Sequence, residues 1–180
     1  MRIETERLTI TTLTPAMARD IHLNSLDEDN RRFVPDEVFE TEEEAAETVG
    51  FLMGRYESPE GPFVYPVLLK TGENIGYVQA ARTESGWEIG YHIAKARTGR
   101  GYATEAVRAF LPFLAKKLGV REIEGVCLAE NAASVQVMEK CGFRRVYAGP
   151  GLYQGETREI VKTVWTAPEA GKGTPDGAAP

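Results

Sequence analysis

The chain has 180 residues, 42% of them apolar and 27% charged, and its 21 Lys plus Arg against 27 Asp plus Glu leave a formal net charge of −6. That size and composition suit one globular domain, and an acidic whole lacks the clustered positive charge with which a polyanion such as DNA exchanges counterions. No apolar run approaches the roughly 20 residues of a bilayer span, and the start, Met1-Arg-Ile-Glu-Thr-Glu-Arg7, has no apolar signal-peptide core, so a soluble cytoplasmic protein is expected.

Leu8-Thr-Ile-Thr-Thr-Leu13 alternates apolar and β-branched residues and reads as a strand. Pro15 opens a short helix to about Ser25. Thr41-Glu-Glu-Glu44 is a capping box, and behind it Ala45, Val49, Leu52 and Tyr56 recur at helical spacing. Three apolar runs follow, Phe63–Leu69, Ile75–Ala81 and Trp87–Ile93, separated by Thr71-Gly72-Glu73-Asn74 and Glu84-Ser85-Gly86. Turn signals at that spacing predict an antiparallel meander. From Ala103 the period becomes helical, with Val107, Phe110, Leu111, Leu114 and Leu118 in one stripe and Gly119 as its stop. Pro112 interrupts that stripe, where it removes a helix hydrogen bond. Glu122–Leu128 reads as a strand, Asn131–Cys141 as a helix ended by Gly142, and Phe143–Tyr147 and Arg158–Trp165 as the last strands. The expected fold is mixed α/β: about seven strands in a twisted, mostly antiparallel sheet flanked by four helices. Residues 1–165 form the domain. Residues 166–180 hold no large apolar side chain and read as a mobile tail.

The stretch Lys95-Ala-Arg-Thr-Gly-Arg-Gly-Tyr-Ala-Thr-Glu105 follows a strand and opens a helix. Gly99 and Gly101 remove Cβ atoms where a backbone must approach a ligand, and the first amides of a helix are unpaired and attract anions. Lys95, Arg97 and Arg100 concentrate positive charge there. These features describe a pyrophosphate cradle. The Walker pattern for a nucleoside triphosphate is absent. Gly99-Arg-Gly101-Tyr-Ala-Thr104 is a partial dinucleotide fingerprint that lacks its third Gly, and it follows a meander rather than the first strand of a parallel sheet. A nicotinamide-dinucleotide protein is therefore the poorer alternative.

The chain resembles the GNAT superfamily of N-acetyltransferases, in the branch that includes ribosomal-protein N-terminal acetyltransferases. The family's pyrophosphate motif, Gln/Arg-x-x-Gly-x-Gly/Ala, falls on Thr98-Gly-Arg-Gly101-Tyr-Ala103, with Thr98 departing at the first position. Tyr102-Ala-Thr-Glu-Ala106, the opening Glu4-Thr-Glu-Arg-Leu8, and the block Asn131-Ala-Ala-Ser134 through Gly142-Phe143 also resemble that branch. The resemblance spans residues 3 to about 165. It implies acetyl-coenzyme A as co-substrate, with pantetheine bonded by the main chain of His92, Ile93 and Ala94. The pyrophosphate would be held by amides of Gly99, Arg100, Gly101, Tyr102, Ala103 and Thr104, and Asn131 would contact the pantetheine arm from the other side. The implied reaction is direct attack of a primary amine on the thioester. A non-catalytic acyl-coenzyme A-binding module of the same fold is the alternative.

An α-amine has a free pKa of roughly 7.7–8.0, so the nucleophile arrives mostly protonated and a positioned base helps. Glu88 is the candidate, since a catalytic Glu occupies that strand in some members; on alternation it shares a face with His92, the substitute. The family's usual thiolate-protonating Tyr falls on Met138, which leaves that role vacant. Ser134 matches a serine assigned near the sulfur in the ribosomal-protein branch. Between Pro35 and Gly54 stand seven carboxylates and no Lys or Arg, either a negative rim that steers a cationic amine or a solvated helix face. Cys127 and Cys141 read as small buried apolar residues, and with the two histidines they complete no metal-ligand spacing. The expected partner is an amine acceptor, either a protein N-terminus or a small molecule; the sequence does not give the oligomeric state, and a homodimer is open because dimers are common among relatives. No nucleic-acid, membrane or metal partner is expected.

Overall fold

A computed structural model of the chain describes residues 1–168. In chain order the elements are β1 (Arg2–Glu4), β2 (Leu8–Thr11), α1 (Ala18–Ser25), α2 (Glu28–Phe33), α3 (Glu42–Arg55), β3 (Phe63–Leu69), β4 (Asn74–Arg82), β5 (Trp87–Ile93), α4 (Tyr102–Leu118), β6 (Glu122–Leu128), α5 (Ala132–Lys140), β7 (Arg144–Tyr153) and β8 (Glu156–Thr166). The strands form one sheet in the order β1-β2-β3-β4-β5-β6-β8-β7. Every neighbouring pair is antiparallel except β5 and β6, which run parallel. This is the expected mixed, mostly antiparallel α/β sheet, with one strand and one helix more than the pattern predicts.

Both additions are short. β1 has three residues, too few to show alternation, and it is set by pairing with β2. α2 has four charged residues out of six and no apolar period. Its signal is the cap, where the Asp27 carboxylate accepts the Asn30 N–H at 2.8 Å. β7 runs six residues beyond the predicted Tyr147, through Ala148-Gly-Pro-Gly-Leu-Tyr153. Glycine and proline usually break strands, but β7 lies at the sheet edge, where a Pro150 without an N–H costs no ladder bond.

α1 packs on α3 and β4, whereas α4 lies against β2, β4 and β5 and touches α5. The capping box forms at α3: Thr41 Oγ1 accepts the Glu44 N–H at 3.2 Å, and Glu44 Oε2 accepts the Thr41 N–H at 3.3 Å. Gly119 ends α4 with φ +66°. Pro112 sits on the exposed side of α4, so the Arg108 carbonyl that loses its helix donor can bond water instead. The stripe predicted for this helix is the core: Val107, Phe110, Leu111 and Leu114 are buried against Phe63, Tyr65, Ile89 and Ile123. Tyr65 meets the rings of Phe110 and Phe113 edge-on at 5.5 and 5.8 Å. Thr166 ends β8 and the Ala167 N–H donates to the Arg121 carbonyl at 2.7 Å. The remainder of the expected tail, 169–180, lies outside the described residues.

One glycine fixes the register beside the site. Gly76 has φ +147°, and a Cβ there would stand 2.0 Å from the His92 carbonyl oxygen. Gly76→Ala is expected to push β4 from the end of β5 and to lower stability by about 1–3 kcal/mol, measured by urea denaturation.

Candidate active site

β5 and β6 share one paired position, Glu88 with Glu124. Beyond it both strands continue without bonding each other, and a cavity of about 570 Å³ opens, lined by Glu88, Gly90 and Tyr91 on one side and by Val126 and Cys127 on the other. A second cavity of about 410 Å³ lies between Ile93, the start of α4 and α5. Phe33, Val34, Tyr91, Asn131 and Ser134 line both, so the two make one cleft.

The antiparallel register with β4 decides which main-chain groups face this cleft. The Ala94 N–H donates to the Ile75 carbonyl at 2.8 Å. Because successive residues turn their N–H and C=O to opposite sides, His92 directs both groups and Ala94 its N–H to β4, the Ala94 carbonyl accepting the Arg97 N–H at 2.7 Å, whereas Tyr91 and Ile93 direct theirs to the gap. Of the three residues expected to offer main chain to a ligand, only Ile93 does so by this geometry. Tyr91 joins it, a residue that the sequence reading passed over.

At the far end, Gly99 and Gly101 have φ of +73° and +81°. No side chain caps α4, and the N–H groups of Tyr102, Ala103 and Thr104 lie in the helix's first turn, where amides lack intrahelical acceptors. A Cβ on Gly99 would meet nothing within 4 Å, so this backbone faces open space. The amino-terminal segment braces the loop from behind. Arg7 donates to the Arg100 carbonyl at 2.9 Å, pairs with Glu105 at 2.6 Å and stacks over Tyr102 at 4.7 Å. Thr5 donates to the same Glu105 carboxylate at 2.6 Å. Two of the three cations expected to serve the loop are engaged elsewhere: Lys95 with Asp29, and Arg97 in a two-bond pair with Glu73. Arg100 has no ion-pair partner among the described residues. Lys140 also lines the cavity, a second cation beside the loop that the sequence reading did not find. The cradle, the unpaired amides and the strand gap together fit an extended pyrophosphate-bearing ligand such as coenzyme A.

Glu88 is largely buried at the mouth of the gap. Burial first, and Glu124 second, push its carboxyl up to about 7, with Lys162 opposing. His92 takes a different position. Its side chain is 12% exposed, it lines the cradle side of the cleft but not the cavity around Glu88, and burial lowers its pKa. The Ser134 hydroxyl lies 2.9 Å from the Tyr91 hydroxyl, which also donates to the Ser134 carbonyl at 2.9 Å. Asn131 caps α5, its carboxamide oxygen accepting the Ser134 N–H at 3.1 Å. Met138 is buried, with a Cβ on Gly125 only 2.7 Å from its sulfur, so this position is packed into the sheet. Cys127 and Cys141 are buried and free, and burial raises both thiols, Cys141 to about 11.

The acidic segment divides its carboxylates. Glu40 pairs with Arg31 and Glu44 caps α3, while Glu37 turns inward, accepting from Gln79 Nε2 at 2.8 Å and lining the cavity around Glu88. Nothing in the charge run singles out Glu37.

Residues 7–144 match the acetyltransferase (GNAT) domain family. A Bacillus subtilis protein named as the uncharacterized N-acetyltransferase YnaD is 30% identical over 148 residues, 81% of this chain and 84% of that protein. The crystal structure of a GNAT-family acetyltransferase from Bacillus anthracis is 28% identical with a TM-score of 0.78, covering 92% of this chain and 98% of its own. RimL, described as a ribosomal L7/L12 alpha-N-protein acetyltransferase in complex with coenzyme A, superposes with a TM-score of 0.79 at 17% identity, covering 93% and 98%; at that identity the likeness is one of fold.

The raised Glu88 carboxyl has a thermodynamic sign. Below pH 4.5 it is protonated folded and unfolded; between 4.5 and about 7 the unfolded chain releases the proton while the fold retains it, which costs stability as pH rises. Glu88→Gln is therefore expected to gain stability relative to the parent across that window and to hold the gain above it. Urea melts at pH 4.5, 6 and 7.5 measure this.

Proposed function

The chain belongs to the GNAT family of acetyltransferases, and we propose that this acetyl-coenzyme A-dependent acyltransferase acetylates a primary amine by direct attack. The observation that carries the reading is the cleft itself: a diphosphate cradle at one end, inward-facing main chain along β5, and a carboxyl poised near neutrality at the other.

Gly99, Arg100, Gly101, Tyr102, Ala103 and Thr104 hold the pyrophosphate through main-chain amides, with Arg100 and Lys140 adding charge. Ile93 and Tyr91 bond the pantetheine arm as an added strand would, and Asn131 approaches it from α5. Acetyl-coenzyme A supplies a thioester carbonyl open to a neutral amine. Glu88 takes the proton from the incoming ammonium. Its pKa near 7 lies close to that of an α-amine, so about half of it is ionised at neutral pH and that form is basic enough to accept. Ser134, when its Oγ accepts the Tyr91 proton in place of the Ser134 carbonyl, is free to donate its own hydroxyl toward the departing sulfur, the function left open by Met138. Cavity position favours Glu88 over His92 as the base.

Thiol release from acetyl-coenzyme A with an amine panel tests this reading. The kcat/KM of the parent should rise with pH through about 7, and Glu88→Gln should lose that limb along with about 10²–10⁴ in rate. Unchanged profiles between the two would remove Glu88 from the mechanism. Gly101→Val, which forces a β-branched residue to φ +81°, is expected to weaken acetyl-coenzyme A binding at least tenfold by calorimetry.

A further inference from the structure

A third cavity, about 260 Å³, lies between α1, α3 and the sheet, walled by Leu13, Ile21, Val49, Leu52 and Val64. It meets the cleft at Glu37, Tyr77 and Gln79, which also line the cavity around Glu88, and again at Asn30 and His92, which also line the cavity at the cradle. Four of its lining residues each carry a buried polar atom without a hydrogen-bond partner among the described residues: Asn30 Oδ1, Glu37 Oε2, Asn74 Nδ2 and His92 Nε2. Asn30 and Asn74 are 1% and 5% exposed. Their amide orientations are set by main-chain partners, since Asn30 Nδ2 donates to the Ser25 carbonyl and Asn74 Oδ1 accepts the Gly76 N–H. For His92 Nε2, Asp27 lies 3.4 Å away but outside hydrogen-bond geometry.

Three of these atoms divide between two ends, and His92 faces the cradle cavity as well. Glu37 stands with Gln79 at the junction with the cavity around Glu88. Asn30 and Asn74 gather at the other end, around the last turn of α1, where Asn24 donates to the Asn74 carbonyl. The wall between them is apolar. Buried polar groups are ordinarily paired, and leaving them unpaired costs stability, so this many around one cavity describe the polar points of a ligand. Oε2 of Glu37 calls for a donor. A hydroxyl suits either atom at that end, donating to Asn30 Oδ1 or accepting from Asn74 Nδ2.

We propose that this cavity is the acceptor pocket and that the acceptor is a compact monoamine, with its ammonium at Glu37, an apolar body against the wall, and a distal hydroxyl at Asn30 and Asn74. The proposal rests on the amine-transfer reading above and names its substrate class. A void of about 150 Å³ takes a benzene ring, so this one has room for a ring, a short alkyl arm and a hydroxyl. A polyamine would bury a second ammonium against apolar side chains, which is strongly unfavourable. Burial already raises the Glu37 carboxyl, and an ammonium at Oε2 supplies the missing counter-charge.

Tyramine, phenethylamine and spermidine test this by thiol release from acetyl-coenzyme A, with melting shifts recorded in parallel. Tyramine is expected to exceed both of the others at least tenfold in kcat/KM. Asn30→Ala should bring the tyramine to phenethylamine ratio towards one, with phenethylamine turnover showing that the variant folds; if it does not fold, the parent's ratio decides alone. Glu37→Gln should raise KM for tyramine more than it lowers kcat. Spermidine turned over as fast as tyramine, or tyramine no better than phenethylamine, overturns the pocket assignment and leaves acetyl transfer standing. Thiol release with no amine at all, despite a melting shift with acetyl-coenzyme A, would overturn both readings.

Discussion

The single paired position between β5 and β6 governs this molecule. Two parallel strands that bonded along their full length would close the sheet and consume every main-chain group between them. Here pairing stops at Glu88 and Glu124, so the end of β5 presents free N–H and C=O groups without breaking its antiparallel bonds to β4. The core pays for that opening elsewhere: α4 spans β2, β4 and β5 on one face, and its buried stripe keeps the divergent strands in place.

The cradle at the start of α4 depends on the same geometry. Its glycines allow left-handed turns that aim amides outward, but a loop free of side-chain caps is also free to move. The amino-terminal segment restrains it from behind through Thr5, Arg7 and Glu105, far apart in sequence and joined by hydrogen bonds, an ion pair and a stacked guanidinium. Charge is arranged with similar economy. Most cations and carboxylates near the site neutralise one another, which leaves Arg100 and Lys140 beside the cradle and Glu37 and Glu88 within the cleft without an ion-pair partner among the described residues.

Burial separates two carboxylates that the sequence does not distinguish. Glu37 lies in a run of acids that reads as a solvated surface, yet the turn after α2 points it at Gln79 and into the interior. Glu88 was singled out by position, but the raised pKa on which its proposed role rests arises from desolvation and from Glu124 across the gap.

Elements whose signals are local were legible in the sequence: the meander, the capping box at Thr41, the α4 stripe and its Gly119 stop, and the glycine pattern of the cradle. Alternation, helical period and turn chemistry act between near neighbours, and a linear reading captures them. β1, α2 and the extension of β7 were missed because pairing, a single cap and an edge position made them, not periodicity. The direction of the β5 main chain, the inward turn of Glu37, the meeting of Tyr91 with Ser134 and the cavity beneath α1 were decided only by tertiary structure. Each depends on register, burial or contact between segments distant in the chain, and such relations exist only once the sheet has closed around its gap.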